Sequence, residues 1–420
     1  MAEPREMTLE AAAALVPPGA RVLLGAAAGL PQALLDTLRA RPDLWAGTIL
    51  TGAFVPGVND ADLTAIGRET RVETIFATPG LAPGMAQGRV AHLPLHYSAF
   101  WQRLSRPGVV DTVVATVPPP RADGTVGLGI VADFAPAAIA AGARLIGVVN
   151  PSMPDVALGP RYPLSRFAAL AEGPAPLTTH DPGPPDATSR AIARHILGLI
   201  RPGDTLQLGL GKLQAAILEA LADSDLTDLG YHAGMVSGPM LGLIEAGRFP
   251  RGVTTGVALG PAGFAAAVAR LPGVRFAPVG ETHAPATFAR LPGLLAINSC
   301  IEIDLMGQVN AETLAGRQVS GHGGLVDFLR GARLSPGGRA VLALPATAGG
   351  GATSRIVAAL PSGSTISAAR ADIDLVVTEH GVADLREASL AERAERLVAL
   401  AAPAHRDNLW ARWEETQRQR

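Results

Sequence analysis

Thr205-Leu206-Gln207-Leu208-Gly209-Leu210-Gly211-Lys212-Leu213-Gln214-Ala215-Ala216-Ile217-Leu218 reads as an apolar strand, a glycine turn and the start of a helix. The strand covers 205–208 and the helix 213–221. An earlier stretch has the same grammar. Arg21-Val22-Leu23-Leu24 leads into Gly25-Ala26-Ala27, then a helix through Leu34 and Leu38. The two stretches align at one offset: Pro18-Gly19, Leu24-Gly25 and Leu34 match Pro202-Gly203, Leu208-Gly209 and Leu218. This weak internal repeat predicts two related halves, each opening with strand, glycine turn and helix.

Further strands are expected at Thr48-Ile49-Leu50-Thr51, at 109–114, at 145–149 and at 339–344, with helices at 136–143 and 186–200. Strands alternating with helices argue for an α/β fold with mainly parallel sheets. Residues 174–185 (PAPLTTHDPGPP) are rich in Pro and polar residues and read as a linker. The expected organisation is two open α/β domains, 1–180 and 186–420, facing each other across a cleft.

The 420 residues are 48% hydrophobic, enough for two full cores. A net charge of −2 gives no basic field for nucleic acid. The lone cysteine, Cys300, excludes intramolecular disulfides and a Cys-rich zinc site, and its apolar surroundings read as burial. MAEPREM carries neither a basic nor an apolar leader segment, and apolar stretches such as GVALGPAGFAAAVA are too short and broken to span a bilayer. The expectation is a cytoplasmic protein with no membrane or nucleic-acid partner and no metal.

Four segments carry candidate chemistry. Gly209, Leu210, Gly211, Lys212 and Leu213 stand where a strand feeds a helix. The free N–H groups of such a turn attract anions, and Lys212, the single lysine of the chain, can meet a phosphate. A tight turn with a solvated lysine is the plain alternative. In Leu294–Leu305 (LLAINSCIEIDL), period-two spacing puts Asn298, Cys300, Glu302 and Asp304 on one face, so Asn298 and Glu302 can share a site. Alternatively the carboxylates pair with Arg330 or Arg333. Gly321, His322, Gly323 and Gly324 precede a helix, and their N–H groups can meet an oxyanion. His322 reads either as a base or as a solvated side chain. Gly349-Gly350-Gly351-Ala352-Thr353-Ser354-Arg355 reads as a ligand loop, and Trp410 and Trp413 as packing residues.

The chain resembles the acetyl-CoA hydrolase/transferase family, which includes 4-hydroxybutyrate, butyrate and succinate CoA-transferases. The resemblance rests on Val117-Pro118-Pro119-Pro120 with Asp123-Gly124, on Val149-Asn150-Pro151-Ser152-Met153-Pro154 and on Ile297-Asn298-Ser299. It continues in Ile301-Glu302-Ile303-Asp304-Leu305-Met306-Gly307-Gln308-Val309, in Val326-Asp327-Phe328-Leu329-Arg330-Gly331-Ala332 and in Val376-Val377-Thr378-Glu379-His380-Gly381-Val382-Ala383. It implies a CoA-transferase-like N-terminal domain and an acetyl-CoA hydrolase/transferase C-terminal domain. Coenzyme A is implied as substrate or ligand, with no tightly bound cofactor. Its implied contacts are 209–213, Asn298 and the loop at Gly321. Acyl-CoA, a small carboxylic acid and a second copy of the chain are the implied partners.

In that family a glutamate within His-Ser/Thr-Glu-Met carries the acyl group and then coenzyme A. Here His232-Ala233-Gly234-Met235 puts Gly234 at the glutamate position, and Gly238 and Gly242 stand at places usually held by aspartate. Three outcomes follow. Water attacks the thioester and the protein hydrolyses it; another carboxylate, best Glu302, replaces the nucleophile; or the chain is a non-catalytic CoA-binding or partner subunit.

Overall fold

The computed structural model describes residues 5–418, so part of the leader reading of 1–7 falls outside it. The chain divides into two units. One holds the chain to Asp181 together with Ala233–Leu241 and Val253–Ala284; the other holds Pro182–His232, Gly242–Gly252 and Pro285–Arg420. The first break coincides with the expected linker, and residues 173–186 carry no helix or strand. Two segments of the second half are counted with the first unit, so the expected 186–420 domain is not one continuous stretch.

The first unit is built on eight strands: β1 (Arg5–Met7), β2 (Arg21–Leu24), β3 (Ile49–Gly52), β4 (Arg71–Thr74), β5 (Val90–His92), β6 (Thr112–Val117), β7 (Arg144–Val149) and β8 (Phe167–Glu172). Their order is β1-β8-β7-β6-β2-β3-β4-β5, with every pairing parallel. The apolar runs are continuous because both sheet faces are covered. Val22, Leu24, Val114, Ile146 and Val148 enter one core, while Leu23, Val113, Ala115, Val117 and Leu145 enter the other.

Further along lie β9 (Thr205–Gln207), β10 (Gly230–Ser237), β11 (Val253–Leu259), β12 (Val274–Phe276), β13 (Leu294–Ser299), β14 (Glu302–Asp304), β15 (Val309–Asn310), β16 (Arg339–Ala343), β17 (Ile356–Val357), β18 (Leu375–Thr378) and β19 (Gly381–Asp384). In the second unit the order is β10-β9-β13-β16-β18-β19, parallel except for the closing β18–β19 hairpin. Strand β10 opens there at Gly230–His232, and its continuation is counted with the first unit, as are β11 and β12, which pair in parallel. Leu294 and Ala296 of β13, Ala340 and Leu342 of β16 and the helix Leu325–Leu334 share one core.

The fold is thus α/β with mainly parallel sheets in both units. The repeat has a structural counterpart: β2 and β9 are each an interior strand, preceded by Gly19 and Gly203 at φ 73° and 90°. The helix after β9 is Lys212–Ala222. The helix expected at 186–200 is Ala187–Leu197, capped by Asp186, whose carboxylate accepts from the Ser189 N–H at 2.7 Å. Trp413 is buried, but Trp410 is 40% exposed, which corrects its reading as a packing residue.

Candidate functional site

In the second unit the strand order reverses between β9 and β13: from β9 the chain proceeds to β10, and from β13 to β16. Ligands of open α/β sheets bind beyond the carboxyl ends of strands at such a switch point. Gln207 ends β9 and Asn298 lies near the end of β13. Their amides bond each other, Asn298 Nδ2 donating to Gln207 Oε1 at 2.9 Å and Gln207 Nε2 to Asn298 Oδ1 at 3.4 Å. Gln214 Nε2, from the following helix, donates to Ser299 Oγ at 3.0 Å. These bonds join the residues flanking the 209–213 turn to Asn298 and Ser299.

The turn itself has a backbone reason for one of its glycines. Gly211, at φ 121°, caps the helix Lys212–Ala222 in a conformation side chains rarely adopt. A Cβ on Gly209 would meet nothing within 4 Å. Lys212, exposed, opens the helix at the end where backbone N–H groups already present positive charge.

Glu302 belongs to another network. The expected continuous strand 294–305 is broken at Cys300-Ile301, so β13 lies in the main sheet and β14 in a three-stranded sheet of order β15-β14-β17. The common face of Asn298 and Glu302 is lost with that break. Glu302 Oε1 accepts from Asn310 Nδ2 at 2.8 Å and from Ser364 Oγ at 3.0 Å. The expected arginine pairs are elsewhere: Arg330 bonds Asp372 at 3.1 Å and Arg333 bonds Asp374 at 2.9 Å. Asp304 is fully buried and accepts from the backbone N–H groups of Met306 and Gln308. Cys300 is buried too, and burial pushes its thiol far above the ordinary range.

Asn310 also ties Glu302 to the glycine loop. Its Oδ1 accepts from the N–H groups of Glu312 and Thr313. The buried Glu312 carboxylate accepts from Ser367 Oγ at 2.9 Å and Gln318 Nε2 at 3.0 Å, and lies 3.3 Å from His322 Nδ1. Burial pushes the Glu312 carboxyl up, but the bond and charge of His322, helped by Ser367 and Gln318, outweigh it and hold it below the ordinary range. His322 is therefore not a solvated side chain; Glu312 fixes the loop carrying Gly321, Gly323 and Gly324.

In the first unit, Gly234 lies on β10 outside the left-handed region. A Cβ built on it would lie 3.1 Å from His283 Cε1 and 3.5 Å from Nε2. His283 follows the short helix Val279–Thr282 and is 1% exposed. Its Nδ1 lies 2.8 Å from Thr282 Oγ1, and its ring is 5.0 Å from that of Tyr97. Tyr97 in turn meets Phe134 edge to face at 5.0 Å. Burial pushes the neighbouring Asp133 carboxyl up to about 6, against the opposing bond from the Phe134 N–H. A Cβ on Gly238 would lie 2.6 Å from Pro261 Cδ, whereas one on Gly242 would meet nothing within 4 Å.

Residues 3–159 match the acetyl-CoA hydrolase/transferase N-terminal domain, and residues 260–413 match the acetyl-CoA hydrolase/transferase C-terminal domain. The 4-hydroxybutyrate coenzyme A transferase of Clostridium kluyveri is 30% identical over 414 residues, 96% of each chain. The chain belongs to the acetyl-CoA hydrolase/transferase family. Among solved structures, a 4-hydroxybutyrate CoA-transferase from Porphyromonas gingivalis superposes with a TM-score of 0.81 at 28% identity, covering 99% of this chain and 98% of that one. RipA from Yersinia pestis superposes with a TM-score of 0.90 at 26% identity, covering 98% of each chain. Gly234 falls between the two matched spans. The family acts on acyl-CoA.

Sequence reasoning missed Gln207, Gln214, Asn310, Glu312, Ser364, Ser367 and His283. The two glutamines had a signal, since they flank the glycine turn. The others are joined to the candidates by tertiary contacts that spacing does not encode. Among the described residues no helix is long and apolar enough to cross a membrane, and no group of three or more His, Cys, Asp or Glu is placed to hold a metal.

Proposed function

We propose that this protein binds a small acyl-CoA in the crevice between β9 and β13 and cleaves its thioester by hydrolysis, without a covalent glutamate at residue 234. The observation that carries this reading is the Gln207–Asn298 amide pair beside the 209–213 turn, in a chain of an acyl-CoA family. The turn offers backbone N–H groups and Lys212 to the phosphates of coenzyme A. Binding that remote body supplies energy for orienting the thioester. The 321–324 loop, fixed by Glu312, offers N–H groups to the developing oxyanion.

A second reading keeps transfer to a carboxylic acid, with Glu302 as a relocated nucleophile. It is favoured by the placement of Oε1 between Asn310 and Ser364, which orients the carboxylate. Thiol release from a panel of acyl-CoAs, with and without small carboxylic acids, separates the readings. Acceptor-independent release supports hydrolysis. Acceptor-dependent exchange supports Glu302, and CoA binding without turnover leaves a non-catalytic subunit. The homodimer implied by the family is tested by light scattering on the same preparation.

A further inference from the structure

Three neighbouring strands of the first unit begin beside one another. Thr112 opens β6 and Arg144 opens β7, and the two are register partners; Phe167 opens β8 against Leu145. Adjacent strands lie about 4.8 Å apart, so the residues at their starts, Asp111, Arg144 and Arg166, gather at the amino edge of the sheet. The Arg144 N–H bonds Asp111 O at 2.9 Å. A groove of about 520 Å³ opens there, lined by these three residues with Thr112, Ser165 and Phe167.

The arginines are anchored but not neutralised. Arg144 Nη1 donates to Leu15 O, just past the helix Leu9–Ala13. Arg166 Nη2 donates to Ile139 O and Ala143 O, both at 2.8 Å, at the end of the helix Ala135–Ala140. These bonds hold each guanidinium in place and leave its Nε and one whole amino group uncommitted. Among the described residues neither arginine pairs with a carboxylate. Asp111 gives Oδ2 to the Arg21 N–H at 2.8 Å, which leaves Oδ1 and the exposed Ser165 hydroxyl for a ligand. Thr112 is 1% exposed, and its Oγ1 has no hydrogen-bond partner among the described residues. Buried hydroxyls are seldom left so, because the bond lost with water is not replaced. Capping two helix ends explains why each arginine is present. It does not explain why both line one groove with an unpaired hydroxyl.

We propose that this groove binds a small phosphate monoester carrying free hydroxyl groups. The phosphate takes the uncommitted N–H groups of Arg144 and Arg166, whose planar forks match its oxygens. One ligand hydroxyl donates to Asp111 and another meets Ser165. The carboxylate decides the class. Beside two cations it disfavours a bare inorganic anion and favours a ligand with a donor next to its phosphate. The volume agrees, since small-molecule sites run from about 300 to 1,000 Å³, well above what a lone phosphate fills. The groove uses none of the residues assigned to thioester cleavage, so the proposal does not depend on that reading.

The test is calorimetry on the full chain with glycerol 3-phosphate, inorganic phosphate and sulfate as probes. Glycerol 3-phosphate should bind about tenfold more tightly than either inorganic anion. Arg144→Gln and Arg166→Gln should each weaken it about tenfold or more. Asp111→Asn keeps an acceptor for the Arg21 N–H and should bring the ester and inorganic phosphate within about threefold of each other. Melting temperatures establish that each variant is folded. Because both arginines also hold helix-end carbonyls, the ranking of the three probes on the parent protein is read first and needs no variant. No binding of glycerol 3-phosphate at about 10 mM, or equal affinity for sulfate, overturns the proposal. So do folded arginine variants that bind the ester as the parent does.

Discussion

Gly234 and His283 share one space: a Cβ on the glycine would come within 3.1 Å of the imidazole Cε1. A side chain at 234 and this ring therefore compete for one place. A glutamate placed at 234 meets the imidazole first. Gly234→Ala should cost about 1–3 kcal/mol of stability as an overpacking substitution. Gly234→Glu alone should give no acceptor-dependent exchange. The double variant Gly234→Glu/His283→Ala relieves the crowding and should give measurable exchange. Melting curves and exchange assays check this; full exchange by the single variant would show that the ring is no obstacle.

The Gln207–Asn298 pair closes the base of the proposed crevice. Gln207→Ala strands the Asn298 amide near a buried edge, a loss of about 1–2 kcal/mol. CoA affinity should fall about tenfold, equivalent to about 1.4 kcal/mol. Calorimetry at fixed salt reads the affinity and denaturant unfolding reads the stability. Unchanged affinity in a folded variant removes the pair from the ligand site.

Lys212 is a cation placed at the positive end of a helix, which helps folding little and suits an anion. Lys212→Ala should leave the melting temperature unchanged or slightly higher and weaken CoA binding several-fold at low salt. The gap between variant and parent should narrow as ionic strength rises and the Debye length shrinks to about 8 Å. A salt-independent gap would assign the loss to packing instead.

Legibility in the sequence followed the range of the interactions. The strand Arg21–Leu24 and the turn at 209–212 are local features, written in apolar runs and glycines, and they stand where the pattern puts them. The segment 294–305 misled because period two describes a strand without saying where it changes sheets. The chain bends at Cys300-Ile301, and Ile303 pairs with Val309 and Ile356 in the small sheet. Glu302 meets Asn310 and Ser364, and His322 meets Glu312, which Ser367 also bonds; these roles depend on how distant loops meet. His283 was invisible for the same reason: it lies 49 positions beyond Gly234.

Asp133 gives a pH signature of the first unit. Burial raises its carboxyl to about 6, above the roughly 3.9 of an unfolded chain. The folded state then holds the proton more tightly than the unfolded state between these values. Stability falls as pH rises from about 4 to about 6 and is level above that. Asp133→Asn removes the penalty while keeping an acceptor for the Phe134 N–H. The variant should be more stable than the parent at pH 7 to 8, by about 1–2 kcal/mol given partial solvent access, and no more stable at pH 4. Urea unfolding at the two pH values measures this; an equal gap at both would assign the effect to something other than titration.

Intact-protein mass spectrometry during turnover reaches the central claim most directly. With saturating acyl-CoA and no added acid, thiol should be released while the mass of the 420-residue chain stays unchanged, because water attacks the thioester and no carboxylate of the protein is acylated. A hydroxylamine-sensitive gain of coenzyme A less one water, mapping to the peptide that carries Glu302, would contradict the account and make this chain a transferase with a relocated nucleophile.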